Sequence, residues 1–177
     1  DLETTTGQLT EAQGTLTSLE SDLAGVRGDL QAASDELDQL REQGRIPDIV
    51  VNAAGVFSMA ACAEETVADF DKNVSVNLRG AFLLTRAVLP DMLQRGDGVI
   101  VNVSSVAGRR AFPGNASYSA SKFGLRGLHE VVVEETRGSG VRVTLLEPAA
   151  TDTPIWDPMD PDGNPNLPDR AGMLRAD

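Results

Sequence analysis

Three side chains of complementary chemistry lie close together in the middle of the chain: Ser105, Tyr118 and Lys122. A free tyrosine has a pKa of about 10 and is a poor base at neutral pH. An ammonium one helical turn away favours the phenolate, and each unit of pKa lowering needs about 1.4 kcal/mol of differential interaction. A nearby hydroxyl holds an alcohol or carbonyl oxygen beside the phenol. That set suits proton transfer to or from a substrate oxygen.

Such a set works only on elements that fix it. Val99, Ile100, Val101 and Val103 form a β-branched run between Gly98 and Ser104-Ser105. The run predicts a strand covered on both faces, with Ser105 at its carboxyl end. Gly108, Pro113, Gly114 and Asn115 predict a loop. Tyr118 and Lys122 are four residues apart, so a helix begun by that point shows both on one face. The helix is expected to run to about Arg137, with Phe123, Leu125, Leu128, Val131 and Val132 on its apolar side.

The neighbouring elements follow from the same patterns. Ile49-Val50-Val51 reads as a short strand ending at Asn52-Ala53-Ala54-Gly55. Glu65 to Gly96 reads as a helical region, with Phe70, Val74, Leu78, Phe82 and Val88 apolar and Pro90 tolerated only with a kink or break. Helix 80–95 is apolar beyond one buried face, which suits an interface. Gly138-Ser139-Gly140 ends the Tyr118 helix, and Val141–Leu146 is the next strand. Residues 154–170 hold five prolines and the only tryptophan, Trp156, and predict a long irregular segment. Trp156 and Met159 either touch substrate or pack; both readings stay open.

The chain resembles the short-chain dehydrogenase/reductase family. The likeness rests on Ser105, thirteen residues before Tyr118, and on Tyr118-Ser119-Ala120-Ser121-Lys122. Asn52-Ala53-Ala54-Gly55 and Val76-Asn77-Leu78 reinforce it. The resemblance implies a catalytic set of Asn77, Ser105, Tyr118 and Lys122. Asn77 would bend its helix and hold a water next to Lys122. It also implies an NAD or NADP cofactor, held by Asp29, Asn52, Ala53, Gly55, Tyr118, Lys122, Pro148 and Thr153. Two departures stand out. Ala53 replaces a second Asn, and Ala149 replaces the Gly that usually follows Pro148. The family's opening strand and T-G-x-x-x-G-x-G loop, which bring backbone N–H groups to the pyrophosphate, are not recognisable. Thr6-Gly7 comes nearest, without the later glycines.

Residues 1–45 differ from the rest. They contain no proline or aromatic residue, and ten acidic against three basic residues give them −7 of the total −12. Leu2, Leu9, Leu16, Leu23, Leu30 and Leu37 keep an unbroken seven-residue period, with Thr5, Ala12, Leu19, Val26, Ala33 and Leu40 three residues on. This heptad pattern predicts a long helix seeking a partner, weakened by its glycines. A competing reading makes Val26 to Leu30 the family's third strand, with Asp29 near the adenine. Ser34 to Gln43 would then follow as a helix stopped by Gly44.

The remaining composition narrows the function classes. A net charge of −12 argues against nucleic-acid binding. One cysteine, Cys62, permits no intrachain disulfide framework. One histidine, His129, and one cysteine do not make a metal cluster, and His129 reads as a surface or interface residue. No apolar run is long enough for a membrane span, and no leader pattern is seen, so a cytoplasmic location is the default expectation. Asn-x-Ser matches at Asn73, Asn102 and Asn115 are then chance. The chain opens at Asp1 and closes at Asp177, and truncation at one or both ends is expected.

The expected fold is a Rossmann-like three-layer α/β/α domain with a mostly parallel sheet, residues 46–177, its N-terminal edge reduced or replaced by the helical segment 1–45. The expected function is NAD(P)-dependent interconversion of a small-molecule alcohol and a carbonyl by a homo-dimer or homo-tetramer. The alternative is an inactive relative whose N-terminal segment mediates assembly.

Overall fold

A computed structural model describes residues 46–165 and 167–176, together with scattered positions between 7 and 44. The chain divides into two compact units, Asp1–Ile46 and Pro47–Asp177.

In the first unit every described position from 7 to 42 is helical, Gly7 included. Leu9 and Leu16, from the heptad column, are each 58% exposed. Gly44 follows with φ of +65°, the left-handed conformation common after a helix end. Asp29, Thr6 and the other four leucines of the column lie outside the described residues.

The second unit is built on a three-stranded parallel sheet. Strands β1 (Ile49–Asn52), β2 (Gly98–Val103) and β3 (Val141–Leu146) lie side by side in chain order. Ile49 pairs with Val99, and Gly98 with Val141. Helices α1 (Val67–Val74) and α2 (Ala81–Arg95) connect β1 to β2, and α3 (Ala116–Glu135) connects β2 to β3. Both crossovers advance in the same direction across the sheet, so right-handed connection puts their helices on one face. The core sits there: Val50, Ile100 and Val141 from the sheet against Val88 and Met92 from α2. On the opposite face Ile49 is 62% and Val51 54% exposed.

Both turns at the amino ends of the strands rely on glycine. Gly96 ends α2 with φ of +75°, and Gly140 precedes β3 with φ of +87°. A Cβ on Gly140 would collide with the Gly96 carbonyl oxygen. Main chain therefore packs directly on main chain where α2 and α3 return to the sheet.

Three expectations need correction. The helical region from Glu65 begins at Val67, because Thr66 is its N-cap and accepts the Asp69 N–H. It then passes through a six-residue π-helical segment, Ser75–Gly80, before α2. Pro90 lies inside α2, which runs on to Arg95 with Val88 and Met92 buried on either side of it. On α3, Leu125 and Val132 are buried, but Phe123 and Val131 are 45% and 54% exposed. The face of α3 toward the sheet is narrower than the apolar pattern suggests.

Candidate active site

The carboxyl ends of the strands carry the site. Ser105 stands two residues past β2 and caps the short 3₁₀ turn Val106–Gly108, its Oγ accepting the Ala107 N–H at 3.1 Å. Beyond the strands, backbone bonds from Ser104 N to Leu146 O and from Val106 N to Pro148 O carry the β2–β3 pairing up to Ser105 and Pro148. Asn52, at the end of β1, donates from Nδ2 to Asn102 Oδ1 at 2.7 Å. Both asparagines are buried. An amide pair thus joins the ends of β1 and β2, and the sheet presents a fixed rim.

Helix α3 brings Tyr118 and Lys122 to that rim. The Tyr118 phenol lies close enough to Ser105 for the serine hydroxyl to favour its ionised form. Lys122 is buried, its Nζ donates to Val103 O at 3.0 Å, and it lies 5.6 Å from the centre of the Tyr118 ring. Close packing fixes the helix. A Cβ on Gly108 would lie 3.0 Å from Lys122 O, and one on Gly124 2.7 Å from Leu78 Cδ2.

The electrostatics differ from the sequence-based expectation. Burial pushes the Tyr118 phenol above the ordinary tyrosine value, and the Ser105 hydroxyl only partly offsets it. Burial also lowers Lys122, to about 8. The lysine is desolvated by the same surroundings as the phenol, so in the chain alone burial of Tyr118 prevails over any stabilisation of the phenolate.

Asn77 lies in the middle of the π segment, and its side chain is fully used. Its Nδ2 donates to Val56 O at 2.9 Å and to Ser121 Oγ at 3.0 Å, while Oδ1 accepts the Val56 N–H at 2.8 Å. Ser121 Oγ donates in turn to Tyr118 O at 2.7 Å. Asn77 therefore ties the β1–α1 loop to the turn that carries Tyr118. A side chain on Gly55 would begin 3.5 Å from Asn77 Oδ1 and 3.7 Å from Lys122 Nζ. Asn77, Ser105, Tyr118, Lys122 and Gly55 thus form one cluster.

Three residues that the motifs do not mark complete the surroundings. Phe57 packs against Tyr118 with ring centres 4.7 Å apart and ring planes tilted by 58°, and Trp156 meets Phe57 edge-on at 5.5 Å. Trp156 Nε1 donates to Thr151 O at 3.0 Å. Glu65 accepts hydrogen bonds from the backbone N–H and the hydroxyl of Ser117, one residue before Tyr118. Thr153 heads the 3₁₀ turn Pro154–Met159 that carries Trp156. Beside the site, Val51, Asn52, Ala53, Ala54, Val76 and Gly80 border a concavity of about 180 Å³. Among the described residues no group of three His, Cys, Asp or Glu side chains converges as a metal site. No described helix is long and apolar enough to cross a membrane.

The family model for short chain dehydrogenases matches residues 1–164. The chain belongs to the short-chain dehydrogenase family. Among its relatives is the D-threitol dehydrogenase of Mycolicibacterium smegmatis, 41% identical over 132 residues, which are 72% of this chain and 50% of that protein. Among solved structures, a 4-hydroxyisoleucine dehydrogenase complexed with NADH superposes with a TM-score of 0.65 at 32% identity, over 73% of this chain and 57% of that one. A gluconate 5-dehydrogenase from Burkholderia cenocepacia, in complex with NADP and tartrate, superposes with a TM-score of 0.69 at 27% identity, over 75% of this chain and 51% of that one. As a member of that family it has the α/β Rossmann fold of these neighbours. The chain spans about half the length of the curated relatives it matches.

Proposed function

We propose that this chain carries the acid–base half of an NAD- or NADP-dependent oxidoreductase that interconverts a small alcohol and its carbonyl compound. The observation that carries the reading is the placing of the Tyr118 phenol near Ser105, with the buried Lys122 5.6 Å from the centre of its ring. Ala53 and Ala54 border the concavity at the end of β1, and Gly55 brings the main chain close to Asn77 and Lys122. Asn52, Ala53, Gly55, Lys122, Pro148 and Thr153 are the residues that would hold the dinucleotide. When bound, the dinucleotide supplies hydride exchange with the substrate carbon.

The protein's own groups handle the proton. With its pKa raised by burial, Tyr118 is a neutral phenol at pH 7, the form that gives a proton to a carbonyl oxygen. Ser105 holds that oxygen against the phenol. Lys122, near 8, is still mainly an ammonium at pH 7 and favours the phenolate formed by proton transfer. Asn77 positions the Tyr118 turn through Ser121. Phe82, Leu93, Phe123 and Val131 are exposed apolar side chains on α2 and α3, and support a homo-oligomer built through these helices. Sedimentation of wild type against Phe123→Glu tests that assembly.

Calorimetric titration of the folded chain with NADH and NADPH tests the cofactor. Micromolar binding, followed by loss of turnover of at least about a hundredfold in Tyr118→Phe, supports the reading. Absence of binding up to millimolar overturns it in favour of an inactive, assembling relative.

A further inference from the structure

Helix α3 begins without a cap of its own. Asn115, its N-cap residue, makes no side-chain capping bond. The capping acceptor comes from a residue 52 positions earlier: Glu65 accepts the Ser117 N–H at 3.1 Å through Oε2 and the Ser117 hydroxyl through Oε1. Ser117 is wholly buried. A carboxylate here satisfies an amide that the first turn leaves unpaired, and its charge suits the positive end of the helix.

Glu65 is itself fixed. Its backbone N–H donates to Ala61 O at 2.9 Å, and the next residue, Thr66, caps α1. The same loop is bonded to the approach of α3 by Ala60 N to Gly114 O at 3.0 Å. It also holds Phe57 against the Tyr118 ring. One loop therefore grips the first turn of α3 at its backbone and at its reactive side chain.

We propose that Glu65 is a positioning residue for Tyr118: by capping α3 at Ser117 it fixes the turn that keeps the phenol in contact with Ser105 and under Phe57. The proposal rests on the reading of Tyr118 as the proton-transfer group. Its test reads Tyr118 directly and needs neither cofactor nor turnover, so either reading can fail alone.

Tyr118 is the only tyrosine in the chain, so phenolate absorbance reports its ionisation without assignment. Wild type, Glu65→Leu and Glu65→Gln are titrated through the alkaline range, with circular dichroism at each pH to confirm the fold. Leucine removes both acceptor oxygens at similar bulk; glutamine keeps one. A freed first turn admits water to the phenol, so the midpoint in Glu65→Leu is expected to fall toward that of free tyrosine. Glu65→Gln should shift less, in the same direction. A merely structural role would lower the unfolding midpoint and leave the phenol titration of the folded protein in place. An unchanged midpoint in folded Glu65→Leu overturns the proposal. Should that variant not fold, an unchanged midpoint in Glu65→Gln does so.

Discussion

Lys122 Nζ donates a hydrogen bond to the carbonyl oxygen of Val103, 3.0 Å away at the last residue of β2. The charged end of Lys122 is thus anchored to the strand that leads into Ser105, and it is buried there with its pKa lowered to about 8. Between pH 8 and 10 the unfolded chain, with an ordinary lysine, holds this proton more tightly than the folded chain does. Stability from this group therefore rises with pH across that window, and the whole burial penalty applies below it. The ceiling is about 3 kcal/mol, from about 1.4 kcal/mol per pKa unit. Tyr118, shifted upward, acts in the opposite sense above about pH 10. Lys122→Met is expected to abolish the rise between pH 8 and 10, as read from urea midpoints at each pH.

Phe57 sits between Tyr118 and Trp156, and its removal should separate them. Phe57→Ala is expected to cost about 1–3 kcal/mol, from the lost ring contacts and partial burial. Trp156 is the only tryptophan. Its emission should move to the red as water enters, while Tyr118→Phe leaves the emission maximum in place. An unmoved maximum in Phe57→Ala would show that the aromatic contact does not persist in solution.

The buried Asn52–Asn102 pair joins two strand ends. Asn102→Ala leaves Asn52 Nδ2 with only a 3.4 Å contact to Thr85 Oγ1. A loss of about 1–3 kcal/mol is expected, as for a buried polar group stripped of its partner. Adding Asn52→Ala should then cost far less than Asn52→Ala does in the wild type, because the second amide has already lost its partner. A double-mutant cycle by urea denaturation measures the difference.

The local patterns carried much of this arrangement. The valines of β2 end where Ser105 begins, and the spacing of Tyr118 and Lys122 matches the helical turn that holds them. What escaped the sequence was contact over long separations. Phe57 and Trp156 are 99 residues apart, and no periodicity links a loop phenylalanine to a tryptophan among prolines. Glu65 looked like the first residue of a helix. It stands one position before the cap, and its partner Ser117 is 52 residues away. The shift of the Tyr118 pKa is hidden from the sequence for a different reason. Spacing shows a nearby charge, but not the desolvation that outweighs it.

The π segment Ser75–Gly80 has a consequence for how this helix can change. An α-helix turns about 100° per residue. In the π segment each hydrogen bond reaches one residue further than in an α-helix, so the segment takes up one extra residue while the helices on either side keep their phase. Asn77 thereby reaches Val56 and Ser121 while Val88 and Met92 stay turned to the sheet. A residue inserted into the regular α-helix on either side would instead rotate one of these sets away from its partners by about 100°.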